Sequence, residues 1–165
     1  MGRADNETAV DVEGVMEITL LSHGMRYVGI SELTGKKNHP LISWWISLCN
    51  FDLEAADEIP WCSAFVNGMA WDLRLPRSNS LAARSWLEVG KVMLPSLAII
   101  GFDVVILKRG LEPQPGPEVI DAPGHVGIFA GTNGVSVSVL GGNQGNKVSV
   151  QLFPTTRVLG VRRLI

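Results

Sequence analysis

The chain predicts an α+β domain, on three observations. Apolar residues return at helical spacing through its first half. Phe102–Leu107 is then β-branched and apolar apart from Asp103, the signature of a strand buried on both faces or nearly so. Finally, Val135–Leu140 alternates Val and Ser beyond a Gly131-Thr132-Asn133-Gly134 turn, as a half-buried hairpin strand does. Because helices precede strands rather than alternating with them, the expected arrangement is a helical layer on an antiparallel sheet of about five strands.

Taken in order, residues 1–11 are polar and acidic and are expected to form a disordered tail, leaving 12–165 as one domain. A helix is expected from Val12, with Val15, Ile18, Leu21 and Met25 on one stripe. Ser31–Pro40 reads as a polar loop. Leu41–Cys49 reads as a second helix with Ile42, Trp45, Ile46 and Cys49 inward, which makes Cys49 a buried small hydrophobe. Asn50–Ile59 is an acidic connector. A third helix opens at Cys62, after Pro60, and runs to about Leu73. Ser80 caps a short helix over Leu81–Val89, closed by Gly90. Strands then follow over 102–107, 125–130, 135–140, 147–152 and 158–164, with a loop of four prolines between Pro113 and Pro123.

Composition removes several classes of function. A net charge of -2, with no Lys/Arg cluster longer than two, leaves no electrostatic footprint for nucleic acid. The longest apolar stretch, Val92–Ile100, is broken by Pro95 and too short to span a bilayer, so no membrane insertion is expected. Two cysteines and three scattered histidines match neither a disulfide framework nor a zinc pattern, and no metal or cofactor is expected. The acidic first twenty residues are no secretory leader, so synthesis in the cytoplasm is expected.

The chemistry concentrates at Cys62. A thiol at the head of a helix lies at the positive end of the dipole, which favours thiolate and can lower its pKa from about 8.5. A nucleophilic thiol also needs a base within about 2.6–3.2 Å, and the base needs a third group to fix its tautomer. His125, heading a strand straight after Pro123-Gly124, supplies the imidazole. Gly141-Gly142-Asn143-Gln144 returns the chain to the His125 end of the hairpin. Strand alternation allows only one of its two amides to face the ring, and Asn143 is favoured over Gln144. The Cys62 N–H would serve an oxyanion. Ser63 would assist it or simply serve the first helical turn. Trp61 would line a groove or pack beneath the helix.

Five blocks strengthen this reading. They are Pro60-Trp61-Cys62-Ser63-Ala64-Phe65-Val66-Asn67, Ser80–Leu87, Phe102-Asp103-Val104-Val105, Gly124-His125-Val126-Gly127-Ile128-Phe129 and Val139-Leu140-Gly141-Gly142-Asn143-Gln144. In this order they resemble the NlpC-type and CHAP-type cysteine peptidases and amidases that cut the peptide part of bacterial peptidoglycan. The likeness is greatest to compact phage endolysins and secreted antibacterial effectors. The resemblance implies a papain-like fold with Cys62 as nucleophile, His125 as base and Asn143 or Gln144 as the polar third member. It also implies bacterial peptidoglycan as the partner of a monomer that reaches the wall through a holin or a secretion machine. Two features depart from the pattern: Phe102 is inserted before Asp103, and an amide stands where a carboxylate or His is usual.

Two other readings keep the fold: a wall-binding or interaction module in which Cys62 is incidental, and a cysteine hydrolase of another acyl substrate. Among the remaining residues, Trp45 and Trp71 are expected in the core. Asp103, Arg84 and Arg77 are expected in structural or surface roles ahead of substrate contact. His23 and His39 have no acidic partner nearby in sequence.

Overall fold

A computed structural model describes residues 17–33, 39–50 and 59–165. The expected tail, the first turns of the Val12 helix and most of the acidic connector fall outside the described residues. The architecture is α+β: helices α1 (Leu20–Gly24), α2 (Pro40–Ser47) and α3 (Cys62–Asp72) precede an antiparallel sheet. Among the described residues the sheet has six strands, against the expected five or so: β1 (Lys91–Met93), β2 (Asp103–Lys108), β3 (Gly124–Thr132), β4 (Ser136–Gly141), β5 (Ser149–Pro154) and β6 (Val158–Arg163). Their spatial order is β1-β6-β2-β3-β4-β5, so the last strand of the chain is inserted between the first and second.

Capping explains where α1 begins. Thr19 and Ser22 exchange side-chain-to-backbone hydrogen bonds in a capping box, so the helix opens at Leu20 rather than upstream. The expected stripe is therefore rotated. Leu20 and Gly24 are buried, whereas Ile18 and Met25 are exposed. For α2, His39 acts as N-cap: its Nδ1 accepts from the Leu41 N–H at 3.2 Å, and Pro40 takes the first helical position. The helix expected over Leu81–Val89 is a 3₁₀ helix over Ala83–Glu88. Ser80 does accept from the Ala82 N–H, but two residues ahead of that helix's own cap.

The sheet separates two apolar layers. On one face Val104, Ile106, Val126, Ile128 and Leu140 pack against α3 through Phe65, Met69 and Ala70, and against Trp45, Trp61 and Trp86. On the other face Val105, Leu107, Phe129, Val137, Val139 and Val161 form a second cluster with Phe153 beside it. Close approach between α2 and α3 requires Gly68, where any Cβ would overlap the Trp45 indole. Two charged residues expected in secondary roles turn out to be buried fixtures. Arg84 donates to the carbonyls of Pro115, Gly116, Val119 and Pro123 and so gathers the proline-rich loop. Asp103 receives Arg163 bidentately at 2.8 Å, together with the Ile99 N–H. Trp45 lies in the core as expected, but Trp71 does not: it is 46% exposed.

Candidate active site

Cys62 is the first residue of α3, and Trp61 before it makes no side-chain cap. The amides of the first turn thus have no intrahelical acceptors and no cap from the Trp61 side chain, which leaves them to be met by another group. The backbone N–H groups of Val126, Ser63 and Cys62 face the sulfur and favour thiolate. Val126 matters most for position, because its amide nitrogen is bonded to the carbonyl carbon of His125. Cys62 has therefore been brought to the head of β3, next to the peptide unit that carries the imidazole.

The ring reaches that place differently from the simplest expectation. Val126 and Ile128 take the helix-facing side of β3, so alternation sends His125 to the opposite face, beside Leu107. There its ring lies 5.4 Å from that of Phe153. Cys62 packs in the helix-facing layer while His125 lies on the other face, so what the sulfur meets at the head of β3 is the Val126 N–H rather than the ring itself. This flank is free of strand pairing, since β4 pairs with β3 only from Ile128 onward.

The amide that meets the His125 ring is Gln144, not the favoured Asn143. His125 Nε2 lies 2.9 Å from Gln144 Oε1, while Gln144 Nε2 donates to the carbonyls of Ser149 at 2.6 Å and Val139 at 3.3 Å. Those two carbonyls can only accept, so they fix the amide with its oxygen toward the ring. An oxygen there requires the ring nitrogen to donate. His125 is therefore held as the tautomer protonated at Nε2, with the Nδ1 lone pair left over to act as a base. Asn143 has φ 55°, a left-handed conformation that Asn tolerates better than most residues, and it serves the turn instead. The two glycines before it are there for space. A Cβ on Gly141 would lie 2.6 Å from Gln144 Oε1, and one on Gly142 would lie 2.6 Å from the Trp61 ring. From outside, the turn is supported by residues 29–32, through Val148 N–H to Ile30 O at 2.8 Å and Glu32 N–H to Asn146 O at 3.0 Å.

Ser63 and Trp61 are not available to a substrate. The Ser63 hydroxyl donates to Ser80 O at 2.6 Å and accepts from Trp86 Nε1 at 2.9 Å, which ties α3 to the next segment. Trp61 is stacked on Trp45 in the core, with its Nε1–H donating to Glu32 at 2.6 Å.

Electrostatics reverse the expected thiol shift. Cys62 is only 2% exposed, and burial raises its pKa against the pull of the three amides and of Arg109. His125, 6% exposed, is pushed down to about 4 by burial; the bond to Gln144 opposes this and the Arg109 charge adds to it. The resting pair is thus neutral thiol and neutral imidazole, not an ion pair. Arg109, just past the end of β2, is an exposed cation whose field reaches both groups, and sequence reasoning missed it. Its one signal was the Lys108-Arg109 pair directly after the β2 run. Among the described residues there is no cluster of three metal-ligating side chains, and no helix is long and apolar enough to cross a membrane. No protein-family model matches the chain. A search of curated proteins finds no match either.

Proposed function

We propose that the chain is a papain-like cysteine hydrolase of the NlpC/CHAP type that cleaves an amide or peptide bond in the peptide part of bacterial peptidoglycan. The observation that supports this reading is the placing of Cys62 beside the His125–Val126 peptide, together with the His125–Gln144 hydrogen bond. A sulfur at the head of a helix lies beside the base's own peptide unit, and the base's tautomer is dictated by an amide that is itself fixed by two carbonyls.

The neutral resting pair sets the order of proton transfers. Nδ1 of His125 takes the Cys62 proton as sulfur bonds to the substrate carbonyl carbon, rather than beforehand. The oxyanion is met by the first-turn amides of α3, which no side chain caps. Imidazolium then returns the proton to the leaving amine, whose C–N bond breaks to give a thioester. Water, losing its proton to the same nitrogen, hydrolyses the thioester and restores the thiol. Gln144 Oε1 keeps accepting from Nε2–H throughout, and so stabilises the imidazolium between steps.

Incubation with purified peptidoglycan, followed by mass analysis of soluble fragments, tests the proposal. New amine or peptide termini are expected from the parent chain and not from Cys62→Ala. The near-complete burial of both reacting groups favours one second reading, a wall-binding module with an inert thiol. In that case no fragments appear, and Cys62→Ala binds peptidoglycan as well as the parent does.

A further inference from the structure

At the opposite end of α3 from Cys62 lies a cavity of about 570 Å³ lined by Trp71, Asp72, Arg74, Leu75 and Arg77. The carboxylate in its wall is already engaged, since Asp72 Oδ2 lies 2.8 Å from His23 Nε2. Two guanidinium groups are left. Among the described residues, Nη1 of Arg77 is buried and has no hydrogen-bond partner, an arrangement that costs free energy until an acceptor arrives.

Arg74 is the second oddity. Leu75 N–H bonds Ala70 O at 2.8 Å and Arg74 N–H bonds Trp71 O at 3.1 Å, which together close α3 in a Schellman motif. The left-handed residue of that motif is usually glycine. Here it is Arg74, with φ 57°. Glycine would be easier on the backbone, but would put no charge on the cavity wall. Beside the two cations, Trp71 is 46% exposed and meets Trp44, 45% exposed, edge-to-face at 5.4 Å. An exposed aromatic next to paired guanidinium groups suits a ligand carrying both a carboxylate and a sugar or apolar face. The negative end of the α3 dipole opposes an anion here, but it amounts to roughly half a charge against two full ones.

We infer that this cavity is a second, non-catalytic binding site, in which Arg77 and Arg74 take a carboxylate of a wall glycopeptide and Trp71 packs against the adjoining sugar. The identity of the ligand rests on the wall-hydrolase reading; the anion site itself does not. Cys62 and Asp72 are separated by roughly 15 Å along the helix at 1.5 Å per residue, a span that a polymeric strand covers and a small fragment does not.

The test uses the full chain carrying Cys62→Ala, so that no probe is consumed. The probes are an N-acetylmuramyl dipeptide with a free terminal carboxylate and the same compound as its carboxamide, with binding read by calorimetry and by tryptophan quenching. Saturable binding of the acid is expected, weakened at least tenfold by Arg77→Gln and weakened similarly by amidation. Arg74→Gly should weaken binding while raising the melting temperature, which separates a lost contact from a lost fold. Equal affinity for acid and amide, unchanged affinity in Arg77→Gln, or no binding of either probe would overturn the inference. Cleavage of whole peptidoglycan by the parent chain is scored separately. Arginine-dependent binding without cleavage removes the hydrolase reading and keeps the anion site, and cleavage without such binding does the reverse.

Discussion

Lowering the pH should destabilise the folded chain through His125, by an amount that follows from its burial. The imidazole sits at about 4 in the folded chain against 6.5 when exposed. Below 6.5 the unfolded chain takes up a proton that the folded chain refuses until pH nears 4. The neutral ring's contribution is therefore fully present above pH 6.5 and is lost as the pH falls toward 4. The whole gap is worth about 3 kcal/mol, and linkage places about 2 kcal/mol of it between pH 8 and pH 5. Equilibrium urea unfolding of the reduced chain and of His125→Gln, over that interval, isolates the effect from His23 and the carboxylates, which both chains share. The parent curve should fall more steeply by about 2 kcal/mol. Parallel curves would refute the reasoning, as would a His125 ring resonance titrating near 6.5 in the folded chain.

Three further outcomes are expected. Gln144→Leu should lower kcat on peptidoglycan by on the order of 10–100-fold, because the ring loses the acceptor that fixes its tautomer, while Asn143→Gly should leave kcat within about twofold. Gly68→Ala should destabilise by about 1–3 kcal/mol in thermal or urea unfolding despite the better helix propensity of Ala, since the new methyl meets the Trp45 indole. Arg84→Lys should lose about 3 kcal/mol in the same assays, because an ammonium cannot span the carbonyls of Pro115, Gly116, Val119 and Pro123 at once.

What the sequence revealed of the site depended on how local each determinant is. Cys62 at a helix head was legible because Pro60 and the following apolar spacing act within one turn. His125 at a strand head was legible for the same reason. Choosing between Asn143 and Gln144 was not, because the decision lies in the left-handed backbone at Asn143, which turns the next side chain toward the ring. The thiol shift was misjudged because a helix dipole can be read from sequence, whereas the desolvation that outweighs it comes from packing. Strand β1 escaped notice since three residues carry no periodicity, and Lys91–Met93 becomes a strand only by pairing with Val161–Arg163. Trp71 was expected in the core, yet it stands in the last turn of α3 and is exposed.

The place of β6 between β1 and β2 bears on how the protein comes into being. Lys91–Met93 and Asp103–Lys108 both need Val158–Arg163 as a neighbour, so a nascent chain has a gap in its sheet until that segment has left the ribosome. Pairing partners this distant in sequence make for slow closure. Deleting Val158–Arg163 would remove an interior slat of the sheet rather than a fringe.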